Sequence, residues 1–267
     1  MKKEQLYSKR KVNYEEIMNR KMKELYVVIH MITVELYIGE GTLLEKNKLN
    51  IMYGLDIHGR KDLIGIYVEN KSNNRYWIDE VEKLKNRGIK KVIYFTSEGN
   101  KRLEQAFKIV YNSEVRISIN AEVEKIAKYT QYRWKSTGEQ ELVHLYLSEN
   151  IEKYEEQLKM LKEKYKENKI GITLIEEFDK KVKRKVMTEA VELRHLICSY
   201  SSKRKFKEQM IRAEKKYEKI KDIDDLIEKE REYFVKFEST RSYSKEKWTK
   251  LLNKLYQEKY EEIEEYI

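Results

Sequence analysis

The sequence predicts a mixed α/β fold: a sheet domain in the order β-β-β-α-β-α-β, followed by a long helical C-terminal region. Three observations carry that reading. Apolar β-branched runs concentrate before residue 120, glycine-containing turns separate them, and later segments rich in Glu, Lys, Leu and Tyr carry helical spacing.

Residues 1–24 read as a short basic N-terminal arm. Leu25 to Leu36 is then an apolar run suited to a central strand buried on both sides. Leu49 to Ile57 is a second strand, and the turn Asp56-Ile57-His58-Gly59-Arg60 returns the chain into a third, Asp62 to Glu69. Asn74 to Arg87 is an amphipathic helix with Trp77, Ile78, Val81 and Leu84 on one face, capped by Asn73 or Asn74 and ended by Gly88. Lys91 to Thr96 is a fourth strand, Lys101 to Val110 a second helix, and Glu114 to Ile119 a fifth strand. Residues 25–120 therefore form the sheet core and 121–267 the helical region. Within the latter, helices are expected over Ile151–Asn168, ended by Gly171, and over Leu174–Ile197, Lys205–Lys219, Asp224–Phe237 and Lys245–Ile267.

Hydrophobic residues make up 40% of the 267, enough for a packed core, and the formal charge is +10. That excess fits a polyanionic partner, nucleic acid first, and it equally fits an AT-rich coding composition that over-supplies Lys codons. Proline is absent, against a usual share of about 5%; codon bias and relaxed selection are both open as causes. The single cysteine, Cys198, excludes an internal disulfide framework, and its apolar neighbours mark it as a structural thiol. Neither a signal peptide nor a membrane-length apolar run is present, so a cytoplasmic protein is expected, associated with the nucleoid if it binds DNA.

The segment Leu55-Asp56-Ile57-His58-Gly59-Arg60-Lys61-Asp62-Leu63-Ile64-Gly65-Ile66-Tyr67-Val68 resembles the second and third strands of bacterial Mutator-type insertion-sequence transposases. Arg75-Tyr76-Trp77-Ile78 and Leu84-Lys85-Asn86-Arg87-Gly88-Ile89-Lys90 continue the match, since that family carries an aromatic-Trp pair in this helix and Asn-Arg-Gly at its end. Leu193-Arg194-His195-Leu196-Ile197 is similar to the stretch before the family's third catalytic acid, and Trp248 with Leu251-Leu252-Asn253-Lys254-Leu255 to its terminal helix. Relative to full-length members the chain is expected to be N-terminally truncated, without the helical DNA-recognition region.

The resemblance implies an RNase H-like fold and a DDE mechanism, in which clustered carboxylates hold two Mg²⁺ ions over a scissile phosphate. Carried over residue by residue, the family's acid positions fall at His30, Glu98 and, more loosely, Arg204; its Cys and His after the fifth strand fall at Ser118 and Ala121. Only Glu98 is an acid. Imidazole suits softer metals and a guanidinium repels them, so impaired catalysis is expected, with no catalytic set intact, no metal site and no cofactor, although active members use Mg²⁺. Glu35 lies five residues beyond His30, on the opposite face of the strand. A rearranged site of Asp56, Glu98 and Glu192, with Glu189 nearby, is the lesser alternative; ordinary solvated or capping carboxylates are the plain reading of these acids. His30 itself reads first as a hydrogen-bonded core histidine. Ser97-Glu98-Gly99-Asn100 lacks the phosphate-loop pattern.

Lys90, Lys91, Lys101, Arg102, Lys203, Arg204 and Lys205 form basic clusters suited to DNA phosphates, or plain solvated faces. The expected function is thus a transposase-like protein of DNA transposition and recombination with DNA as partner. It would act as a homo-oligomer or in mixed oligomers with an active transposase, and have no small-molecule substrate. The alternatives are a DNA-binding or regulatory protein derived from a transposase, and a helical assembly protein with no DNA role.

Overall fold

In the computed structural model, which describes residues 13–40, 43–68, 75–129, 135–217 and 219–266, the apolar runs become five strands. They are β1 (Leu25–Glu40), β2 (Leu43–Leu55), β3 (Lys61–Val68), β4 (Lys91–Ser97) and β5 (Glu114–Ile117), lying side by side in the order β3-β2-β1-β4-β5. β1 runs antiparallel to β2 and parallel to β4; β3 is antiparallel to β2 and β5 parallel to β4. The predicted element order holds, and the sheet is mixed.

Central placement explains the composition of β1. Val28 to His30 is paired on both edges, Leu25 and Tyr26 pair with β4, and Val27, Val28 and Ile29 are wholly buried. Beyond His30 the strand pairs with β2 alone, as a hairpin that reaches Glu40 and Leu43. This hairpin is longer than the sequence suggested, because Glu35, Tyr37, Lys46 and Lys48 are exposed while Val34, Leu36 and Ile38 are buried. The polar half of that alternation hid the start of β2.

Two helices, α2 (Tyr76–Asn86) and α3 (Lys101–Tyr111), share a core cluster with one face of the sheet. Ile29, Met52, Ile64 and Phe95 meet Trp77, Val81, Leu103 and Phe107 there, and the Phe95 and Phe107 rings stack at 3.9 Å. The start of α2 is taken by Arg75 without a side-chain cap; Asn73 and Asn74 lie outside the described residues. Gly88 does end the helix region in the left-handed conformation, at φ +104°.

The resemblance motifs have mechanical roles. Arg87 is buried and donates to the carbonyls of Ile17 in α1 (Tyr14–Asn19), Arg20 and Ile64 at 2.7, 3.1 and 2.7 Å, tying the N-terminal helix to β3. Gly59 sits in the β2–β3 turn at φ +69°, and a Cβ there would meet the Trp248 ring at 2.7 Å. Trp248, in α12 (Lys245–Ile263), donates its indole N–H to the Ile57 carbonyl at 2.8 Å. Close ring approach and positive φ together require glycine at 59.

The chain forms two compact units, Met1–Ile117 with Ser201–Ile267, and Ser118–Tyr200, so the helices after residue 120 are divided between them. The second unit contains α4 (Asn120–Tyr129), α5 (Lys135–Tyr146), α6 (Ile151–Lys164), α7 (Lys169–Thr188) and α8 (Val191–Ile197). Its core holds Val123, Leu142, Tyr146, Tyr154, Leu158, Phe178 and Val182. Buried Arg194 donates to the carbonyls of Tyr146 and Ser148, the latter at 2.8 Å. The structure departs from the sequence expectation at two points in this unit. Gly171 does not break a helix but lies in the first turn of α7, its N–H donating to the capping Asn168 side chain at 2.8 Å. Leu174–Ile197 is also two helices, because Glu189 turns extended at φ −106°, ψ 134°.

In the first unit the helices α9 (Tyr200–Lys216), α10 (Ile223–Lys229) and α11 (Arg231–Ser239) precede α12. Phe206 of α9 and Phe237 of α11 are in ring contact at 4.6 Å, and Phe237 meets Tyr53 of β2 edge-on at 5.3 Å. No described helix is long and apolar enough to cross a membrane.

Candidate functional site

The parallel pairing of β1 with β4 sets His30 beside Thr96, and the imidazole Nδ1 lies 2.7 Å from the Thr96 hydroxyl. The ring also packs against Tyr53, with centroids 4.9 Å apart. Burial, aided by the charge of Lys61, pushes the His30 imidazole down to about 3, so it is neutral near pH 7. This is the hydrogen-bonded core histidine that its strand context suggested.

Two residues beyond Thr96, β4 has ended and Glu98 begins the turn into α3. Gly99 follows at φ +98°, and Asn100 caps the helix by accepting from the Leu103 N–H at 3.2 Å. Glu98 meets the ammonium of Lys203, from α9, at 2.8 Å, and both side chains are largely buried. Arg204, one position on, instead pairs with Glu208 along the helix at 3.4 Å. The helix thus turns Lys203, not Arg204, toward the end of β4.

These groups do not suit a pair of hard cations. A two-metal centre needs several anionic oxygens converging on each ion. Here the set is a neutral imidazole, one carboxylate and the ammonium on that carboxylate. Among the described residues, no group of three or more His, Cys, Asp or Glu is placed to hold a metal ion. Asp56 is buried and committed to its turn, accepting from the N–H groups of His58 and Arg60 at 2.9 and 2.8 Å and pairing with Lys23 at 2.6 Å. Burial opposes its ionisation, yet the bonds from Lys23 and Arg60 outweigh burial and lower its pKa. Glu35 pairs with Lys46 at the surface at 2.6 Å. Glu189 and Glu192 belong to the other unit, at the end of α7 and in the first turn of α8.

The basic residues fare unequally. Lys101 and Arg102 are exposed on the first turn of α3, and Lys205 is exposed on α9. Lys90 pairs with Glu24 at 2.9 Å and Lys91 with Glu262 at 2.7 Å. Lys203 would have to leave Glu98 to meet a phosphate. At the family's Cys position, Ser118 is buried within its own unit, accepts the Asn120 N–H at 3.3 Å and lies 3.4 Å from the Ser199 hydroxyl; Ala121 lies in the first turn of α4. Burial pushes the Cys198 thiol up to about 11, as befits a structural thiol and not a nucleophile.

Sequence reasoning missed Lys61. It opens β3 next to the exposed turn, yet only 4% of it is exposed, with its ammonium 4.6 Å above the Phe237 ring. Its place in Gly59-Arg60-Lys61-Asp62 gives no sign of burial, because Phe237 arrives from a helix far along the chain.

A mixed sheet whose first and fourth strands run in parallel, with a polar pair between them, does not by itself fix a function. The sequence comparison narrows it. Residues 6–218 match the family described as "Transposase, Mutator family", and the chain belongs to that family. It is also similar to a protein of Corynebacterium diphtheriae described as "Probable transposase for insertion sequence element", with 24% identity over 123 residues. That alignment covers 45% of this chain and 36% of the relative, so it spans little more than a third of that protein.

Proposed function

We propose that this Mutator-family chain uses an RNase H-like core to bind DNA, and that it does not cut it. The strand order β3-β2-β1-β4-β5, with β1 parallel to β4, supports the RNase H-like reading. The observation carrying the loss of cutting is the Glu98–Lys203 ion pair beside a neutral His30 at the positions where the family's acids are expected. An ammonium bonded to the one remaining carboxylate opposes any divalent cation that approaches it. The exposed cations Lys101, Arg102 and Lys205, within a chain of net charge +10, support contact with DNA phosphates. In this reading the protein acts in the cytoplasm, at the nucleoid when bound. It acts as a regulator of transposition, alone or in oligomers with an active transposase.

The test pairs two measurements on the full chain. Nicking of supercoiled plasmid is followed in Mg²⁺ and in Mn²⁺, and binding to a DNA duplex is followed against salt. No metal-dependent nicking and a steep salt dependence are expected. Nicking that Glu98→Gln abolishes would overturn the loss of cutting. Absence of duplex binding at low salt would overturn the DNA role.

A further inference from the structure

Lys61 carries a charge on a side chain of which only 4% is exposed. Its ammonium lies over the Phe237 ring, and the like charge of Lys205 adds to the effect of burial on it. Among the described residues no carboxylate is paired with it. A buried cation without an anion is costly, and a ring face offsets only part of that cost. The chain Lys61–Phe237–Tyr53–His30 runs through contacts of 4.6, 5.3 and 4.9 Å, so the ammonium stands on the face of the sheet that carries His30.

We propose that Lys61, assisted by Lys205, is a binding site for a backbone phosphate of nucleic acid on the His30 face of the sheet. A phosphate diester would turn the repulsion between the two ammonium groups into a shared attraction and supply an anionic partner for Lys61. The neutral His30 adds no competing charge, while Lys203 stays engaged by Glu98 and keeps that carboxylate from repelling the anion. Burial lowers the Lys61 pKa to about 8, with Lys205 acting in the same direction, and a bound phosphate would raise it again. The site deepens the DNA-binding role proposed above and rests on it. It assigns to one buried lysine a phosphate contact that the exposed clusters do not provide.

Lys61→Met keeps the length and the packing over Phe237 while removing the charge. In the full chain it is expected to weaken binding to a short DNA duplex roughly tenfold and to reduce the slope of log affinity against log salt by about 0.9, the share of one phosphate. Thermal unfolding of the same variant should occur no lower than in the parent, because the substitution removes an uncompensated charge. Lys205→Gln, at an exposed position, should weaken binding in the same direction by less and guards against a folding defect at 61. Unchanged affinity and slope in Lys61→Met, with the parent binding DNA normally, would overturn the site and leave the DNA role standing. If the parent binds no duplex, inorganic phosphate decides. A phosphate-dependent rise in the parent's melting temperature that Lys61→Met loses supports an anion site apart from DNA, and a rise equal in both, or absent from both, overturns it.

Discussion

Ile29 and His30 are neighbours on one strand and face two different environments. On the Ile29 side, Phe95, Leu103 and Phe107 close an apolar core in which the stacked rings leave no charge to satisfy. On the His30 side, the same sheet carries a neutral imidazole and an ammonium held over a ring, and the turn after β4 a carboxylate locked to a lysine. The first face is what any sheet of this kind needs in order to fold. The second carries groups that cost stability, and such groups persist where something other than packing selects them.

The apolar face should break hardest at its clamp. Arg87→Met removes the guanidinium that closes three carbonyls from two separate segments, and each charge-assisted bond contributes about 1.5–3 kcal/mol. Since the bonds act together, the expected loss is roughly 3–5 kcal/mol in urea denaturation, enough to unfold a marginal domain. A loss below about 1 kcal/mol would mean that water replaces the guanidinium and that the clamp is ornamental.

The same comparison shows why part of the molecule was readable. Strands β1, β3 and β4 were legible as apolar runs, and helix α2 by the apolar face of Trp77, Ile78, Val81 and Leu84. Gly59, Arg87, Gly88 and Trp248 were recognisable as motifs, and each turned out to hold scaffold in place. The distal hairpin was not legible, since Lys46 and Lys48 carry no strand signal until pairing with β1 shows them on the exposed side of the alternation. The His30 side was poorly legible for a related reason. Lys61 and Lys203 look like surface lysines in sequence, and only the arrival of Phe237 and Glu98 from distant segments buries them. Arg204, expected at the third acid position, pairs with Glu208 along its own helix, one step from the lysine that meets Glu98.

The second face can be sharpened by a double-mutant cycle on its ion pair. Lys203→Met leaves Glu98 buried without its ammonium and should cost roughly 3 kcal/mol. Adding Glu98→Gln should recover much of that loss, giving a coupling of about 1–3 kcal/mol in chemical denaturation. Additive costs would show that the two residues do not depend on each other, and that the lysine is not what occupies the carboxylate.

The finest distinction between the faces is electrostatic, and His30 provides it. Its folded pKa is depressed to about 3 from an ordinary value of 6.5, so the unfolded chain binds a proton at pH values where the folded chain does not. The contribution is fully present above pH 6.5 and is lost as the pH falls from 6.5 toward 3, at about 1.4 kcal/mol per pH unit. Carboxylates titrate in the lower part of that window, so the informative quantity is a difference between proteins. His30→Gln keeps a polar partner for Thr96 and removes the titration; its stability should fall less steeply than the parent's between pH 6.5 and 5. Parallel pH profiles would mean that His30 takes up its proton within the folded sheet. The face would then accommodate a positive charge beside Lys61, which its present arrangement does not allow.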